Sequence, residues 1–372
     1  MVVSLFTAVV LSSGVSRGHA QQTGFWIYEP PMPTARQNVS AAQINGHIYA
    51  VGGNDSMGNP SSSLEVYDPV SNLWVEKAPI PTPGAIQGIG AINGLIYVAG
   101  SPDQQNGYCE VYNPTNDSWT SKTPPPVPLS QVAHAVVGGK LYLIGGCAYG
   151  WYTTYTLVYD PATDSWQFKA STPNVGCNAC CAYNGKIYAM HAQQNGCYNS
   201  DMVSVYDPAT DAWTTITSMP TSVQWVGLEV VNGLIYAIGG GHGQCQTFAV
   251  TNLVQIYNPN THTWTNGPAM LGPVETMGTC VINNVLYAVG GTDGTNALAS
   301  MEALMPPMSI NMYAGLTLYG KVGSTYEIDY CSNLAASNWT ALTTVVLSNN
   351  PYLYIDTNST YFSHRFYRAV QQ

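Results

Sequence analysis

Few residues in this chain could do chemistry, and they are dilute. Nine cysteines, seven histidines and twenty acidic side chains are spread over 372 residues, of which only 8% are charged. Cys177 and Cys180 have the two-residue gap of a metal knuckle or a redox pair. A structural zinc wants a second pair nearby, and a redox motif wants a strand-to-helix junction. Neither context surrounds them, so no metal and no cofactor is expected. Gly88-Ile89-Gly90 imitates part of a phosphate loop but has no helix after it. No nucleophile elbow in a strand-to-helix setting and no zinc-protease helix is present. Ten basic residues against twenty acidic ones, a net charge of −10, leave no basic patch for nucleic acid or anionic lipid.

The elements that would position these residues repeat. Ile44–Pro81 holds an Asn-Gly turn, an apolar strand ending in Gly52-Gly53, a polar loop, a strand ending Tyr67-Asp68-Pro69, a tight turn, and a strand bearing Trp74. Strand tyrosines return at Tyr97, Tyr142, Tyr188, Tyr236 and Tyr287. Tryptophans recur as Trp26, Trp74, Trp119, Trp166, Trp213 and Trp264, spaced 45 to 51 residues apart. Asn-Gly supplies the positive φ values of a two-residue hairpin, double glycines allow close backbone approach, and Asx-Pro ends a strand in a turn. Trp26 has no strands before it and the last repeat has no Trp behind it. The first segment should therefore complete the last blade and close the ring, removing a free sheet edge.

With Gly-Gly, Tyr-Asp-Pro and Trp recurring in order, the pattern resembles the kelch repeat over roughly Phe25 to Met305. Copies depart from it at Gly100-Ser101 and His191-Ala192, where others have Gly-Gly. The resemblance implies an all-β fold: a six-bladed kelch-type β-propeller closed by an N-terminal strand. Expected boundaries are a secretory signal peptide at 1–20, the propeller at 21–305, and a small C-terminal β-sandwich-like module at 306–372. An exported chain, secreted or periplasmic, with no membrane span, also suits a surface so poor in charge.

Aligning the inner strands backward from their turns gives a column of small residues, Ser40, Gly88, Ala133, Ala179, Gly227 and Gly278, expected to crowd the ring axis. Two residues on, Glu229 stands among Ala, Gly and Cys. Two residues before, the column varies: Asn38, Ile86, Gln131, Cys177, Trp225, Thr276. The loops after the double glycines should reach the same end of the ring with Asn54, Cys147, Gln193, His242 and Asp293. Ligand-binding candidates are therefore Asn38, Gln131, Trp225, Thr276, Asn54, Gln193 and His242. In an exported chain, cysteines gathered there read as disulfides, Cys147 to Cys177 and Cys197 to Cys245.

Two functions follow. One is a binding module holding a protein or glycan on this face, where aromatic and amide side chains suit stacking and hydrogen bonding. The alternative, by similarity to kelch-type sialic acid mutarotases of the periplasm, is an enzyme with Glu229 as acid or base. No arginine accompanies Glu229 on the inner strands to hold an acidic sugar; Arg36 lies at the far end of its own.

Overall fold

The computed structural model describes residues 24–85, 88–174, 176–191, 200–243 and 248–306, with 314–318, 322–331, 338–348, 352–356 and 366–372 of the C-terminal part. The expected signal peptide, Ile86, Gln193, Cys197 and Cys245 lie outside these residues. The chain divides into two compact units, one running Thr23–Pro307 and the other holding the C-terminal strands.

The first unit contains six four-stranded antiparallel sheets. Blade 1 is typical: Ser40–Ile44, His47–Val51, Leu64–Asp68 and Leu73–Lys77, paired in that order. Its first turn carries φ +51° at Asn45 and +80° at Gly46, the left-handed pair that a two-residue hairpin needs. Blade 6 achieves the same with Asn283 and Asn284, at +50° and +63°. Inner strands lie side by side around the ring, and Gly278–Ile282 returns to Ser40–Ile44. The fourth strand of blade 6 is Phe25–Glu29, paired antiparallel with Met301–Met305 from Phe25↔Met305 to Glu29↔Met301. The expected closure is present.

Each signature residue has a bonding role. The indole N–H of Trp74 donates to Pro30 O at 2.8 Å, that of Trp119 to Ala78 O at 2.8 Å, and that of Trp26 to Pro268 O at 2.9 Å. Every Trp of the column thus ties its blade to the preceding one, and Trp26 serves blade 6. The Tyr-Asp-Pro and Tyr-Asn-Pro tyrosines are buried, and their hydroxyls hold the next turn: Tyr112 donates to Asp117 at 2.7 Å and Tyr206 to Asp211 at 2.6 Å. The double glycine is the seam between blades. A Cβ on Gly53 would lie 2.7 Å from Gln37 O of its own blade, and one on Gly290 2.7 Å from Arg36 O of the next.

The small column departs from expectation. Its residues face the next blade, not the axis: a Cβ on Gly88 would meet Leu143 at 2.1 Å, and one on Gly278 would meet Ala41 at 2.8 Å. Blades stand radially, so alternate residues of an inner strand point to the neighbour on either side. Crowding comes from the wedge between sheets.

The second unit has two antiparallel sheets, Ala314–Leu318 with Tyr352–Asp356, and Thr325–Cys331 between Thr340–Val346 and Phe366–Gln371. Leu318, Ile328, Val345 and Leu347 are its buried core.

Candidate functional site

The loop into each inner strand and the loop after each double glycine meet at one end of the ring. Short bridges join them: Gln37 to Asn54, Ser130 to Cys147, Gln224 to Gly241, Glu275 to Thr292. Buried polar residues on the third strands hold the incoming loops from behind. Glu110 accepts from Thr82 N–H at 3.2 Å and its hydroxyl at 2.7 Å, Gln255 exchanges two bonds with Thr221, and Glu302 accepts from Leu271 and Gly272 N–H. In blade 1, Glu65 takes the Arg36 guanidinium at 2.8 Å. This column of clamps was not anticipated, although Glu65, Glu110 and Gln255 each stand two before a Tyr-Asp-Pro or Tyr-Asn-Pro tyrosine; Glu302 holds the same place in a blade that has Leu304 there instead.

The variable column is special in its backbone. Asn38, Gln131, Trp225 and Thr276 take φ of +55°, +50°, +55° and +54°. Left-handed geometry is routine for Gly and Asn but is an outlier for a bulky or β-branched residue, costing about 1–3 kcal/mol. Three of the four are joined. Thr276 N–H donates to Trp225 O at 3.1 Å, and Asn38 N–H donates to Thr276 Oγ1 at 3.4 Å. Blades 5, 6 and 1 therefore present one continuous arc. Gln131 stands apart on blade 3, exposed, its Oε1 3.8 Å from Cys147 Sγ. Trp225 is half-buried, edge-on to Phe248 with centroids 5.4 Å apart. A Cβ on Gly241 would collide with the Cζ edge of the Phe248 ring, so that glycine makes room for the stack. Asn54 is half-buried with its Oδ1 unpartnered, and His242 is exposed on a short strand paired with Ala249.

The arc opens on a channel of about 400 Å³ between the inner strands, lined by Asn38, Trp225, Thr276 and, further in, Glu229, Thr279 and Cys280. Glu229 Oε1 accepts from Thr279 Oγ1 of blade 6 at 3.1 Å. Burial pushes this carboxyl up to about 7, against the opposing pull of Thr279 and of a backbone amide. Burial and then Glu229 raise the Cys181 and Cys280 thiols, which stay protonated. Because the native carboxyl titrates above its ordinary 4.5, its contribution is full below that value and is lost as pH rises toward 7. Stability should fall by up to about 3 kcal/mol from this group across that window. Urea melts of the parent and of Glu229→Gln at pH 4.5 to 8 check this: the variant should lose that part of the slope, and parallel curves would refute it.

The expected disulfides need correction. Cys147 is a free, buried thiol, so the bridge from Cys147 to Cys177 is not made. Among the described residues, Cys109, Cys181, Cys280 and Cys331 are likewise buried outside any disulfide. Cys147 opens a hairpin pinned to Ser130 by backbone bonds, which turns its sulfur toward Gln131. The bridge from Cys197 to Cys245 falls outside the described residues. His191, in place of a glycine, is fully buried, with Nε2 on Ser204 Oγ and burial holding it neutral down to about 4. It fills the seam. Among the described residues no group of three His, Cys, Asp or Glu could hold a metal ion, and no helix is long and apolar enough to cross a membrane.

A family model described as the Kelch motif matches residues 35–81, 128–173, 226–271 and 276–306, four of the six blades. The propeller is a kelch-repeat architecture. The two unmatched blades are those that depart at Gly100-Ser101 and His191-Ala192. Kelch-like ECH-associated protein 1A of Danio rerio is 33% identical over 75 residues, 20% of this chain and 12% of that protein. The solved structure of YjhT shares the kelch propeller's fold at a TM-score of 0.64 and 17% identity, covering 73% of this chain and 95% of that one.

Proposed function

We propose that the kelch propeller is a binding module that holds a protein or glycan ligand across its loop end, with Trp225, Thr276 and Asn38 at the contact. The observation that carries this is the linked left-handed arc. A scaffold needing positive φ at these positions would be served by Gly or Asn at least strain. Tryptophan and threonine there put a ring and a hydroxyl at the channel mouth, where strain is commonly stored for function. The same reading has the chain exported, on its apolar amino-terminal stretch and charge-poor surface.

Screening the chain against a glycan array and a random-peptide library tests the reading. Binding from either source should weaken about tenfold or more in Trp225→Ala, as expected of an aromatic anchor. Ligands indifferent to Trp225→Ala, or no ligand from either source, would sink it.

A second reading, acid–base work by Glu229 on a sugar, draws on its titration near pH 7. Against an acidic sugar, Arg36 is fully buried and paired with Glu65. Turnover of free sialic acids that disappears in Glu229→Gln would favour this reading over simple binding.

A further inference from the structure

Nine tryptophans are present, and six form the ring column, each indole bonded to the blade before it. Trp225 packs on Phe248, and Trp339 lies half-buried in the C-terminal strands. Trp151 is left over. It is 79% exposed, the one exposed indole among the described residues. Its place is the hairpin after the double glycine of blade 3, Cys147–Ala148 paired with Trp151–Tyr152, on the same loop end as Trp225.

That hairpin turns through Tyr149 and Gly150 at φ of +51° and +85°. Such turns favour Asn-Gly or Asp-Gly, so a tyrosine in the first place is costly, and its ring is 66% exposed. The finger is braced. Gly150 N–H donates to Gln104 Oε1 of blade 2 at 2.9 Å, Ser130 and Cys147 exchange backbone bonds, and Thr153 Oγ1 donates to Gly145 O. Two large rings are thus held in solvent by a rigid support.

We propose that this finger is a stacking platform for a neutral carbohydrate chain, resting on the reading of the loop end as the ligand face. Residues 147–155 carry no acidic or basic side chain. The Asp103 carboxylate in the neighbouring loop keeps its charge, but its oxygens are already turned to Gln105 N–H, Asn106 N–H, Asn106 Nδ2 and Ser101 Oγ within that loop. What remains is aromatic faces beside neutral amides and hydroxyls, Gln131 and Thr153 among them. A pyranose offers the complement, an apolar C–H face for a ring and a hydroxyl edge for amides. A stable protein partner would need roughly 1,200–2,000 Å² with an apolar centre, more than one narrow finger among amides supplies.

Calorimetry on the full chain with cellohexaose, xylohexaose, mannohexaose, laminarihexaose and chitohexaose is the test. At least one should bind, Trp151→Ala should weaken it about tenfold or more, and Trp151→Phe should stay within about threefold of the parent. Affinity should hold from about 50 to 500 mM salt, since no charge is engaged. Absence of binding to every hexaose, binding unmoved by Trp151→Ala, or affinity confined to peptides or to charged oligosaccharides overturns the proposal. Loss in Trp225→Ala without loss in Trp151→Ala overturns it while leaving the loop-end reading standing; binding unmoved by either variant counts against both.

Discussion

Removing Gly24–Glu29 should drop the melting temperature by about 10 °C or more and make the protein prone to aggregate. The segment supplies the outer strand of blade 6, five residues paired with Met301–Met305. Trp26 is 5% exposed and packs with Ile238, Val254, Leu286 and Leu304, tying blade 6 to blade 5 through Pro268 O. Truncating a buried tryptophan costs about 3–5 kcal/mol by itself, a large share of the roughly 5–15 kcal/mol that holds a domain together. The deletion also bares the edge of Met301–Met305 and takes away Glu29, the acceptor 3.2 Å from the Tyr67 hydroxyl of blade 1. Blade 6 would then lose its hold on both neighbours. Thermal melts read by near- and far-ultraviolet dichroism should separate into two transitions in the deletion. A single transition at the parental temperature would mean that the ring does not depend on its closure.

What was legible in the sequence was whatever answers a backbone requirement. Asn45-Gly46, Gly52-Gly53 and Asp68-Pro69 each meet a geometric demand that few residues satisfy, so their recurrence gave blade order, register and the unpaired Trp26. The facing of the inner strands was not legible in the same way. Period-two alternation tells which residues share a side, but whether that side meets the axis or the next blade depends on how six sheets stand together. The disulfide expectation failed at a similar point: loop position put Cys147 at the right end of the ring, while the local hairpin aims its sulfur at Gln131. The variable column did mark Asn38, Trp225 and Thr276, which the fold joins in one arc. Their left-handed backbone was not readable, since Trp and Thr are the residues least expected there. Trp151 carried a signal that was missed, a tryptophan out of step with a column that the other blades keep.

The buried pair in blade 1 gives the second large effect. Arg36 and Glu65 are fully buried, joined at 2.8 Å, and Arg36 also donates to Gly52 O at 2.6 Å and Ser63 O at 3.2 Å. Glu65→Leu leaves a guanidinium without its counter-charge, and Arg36→Leu leaves a carboxylate without its own; each should cost about 3–5 kcal/mol. The double variant should not cost the sum. Blade 3 shows why: its residues at the same two positions are Leu129 and Leu157, both fully buried in one apolar cluster. The ring already contains a hydrophobic version of this pair, at a site with the same strands and the same incoming loop. Arg36→Leu with Glu65→Leu should therefore recover most of the loss, keeping a deficit of about 1–3 kcal/mol for the Gly52 carbonyl that loses the guanidinium, while Ser63 O keeps the Gly52 N–H. A double-mutant cycle in urea checks this, with a coupling of several kcal/mol expected between directly bonded charges. Additive costs would show that the two side chains act separately, and that blade 1 cannot be repacked as blade 3 is.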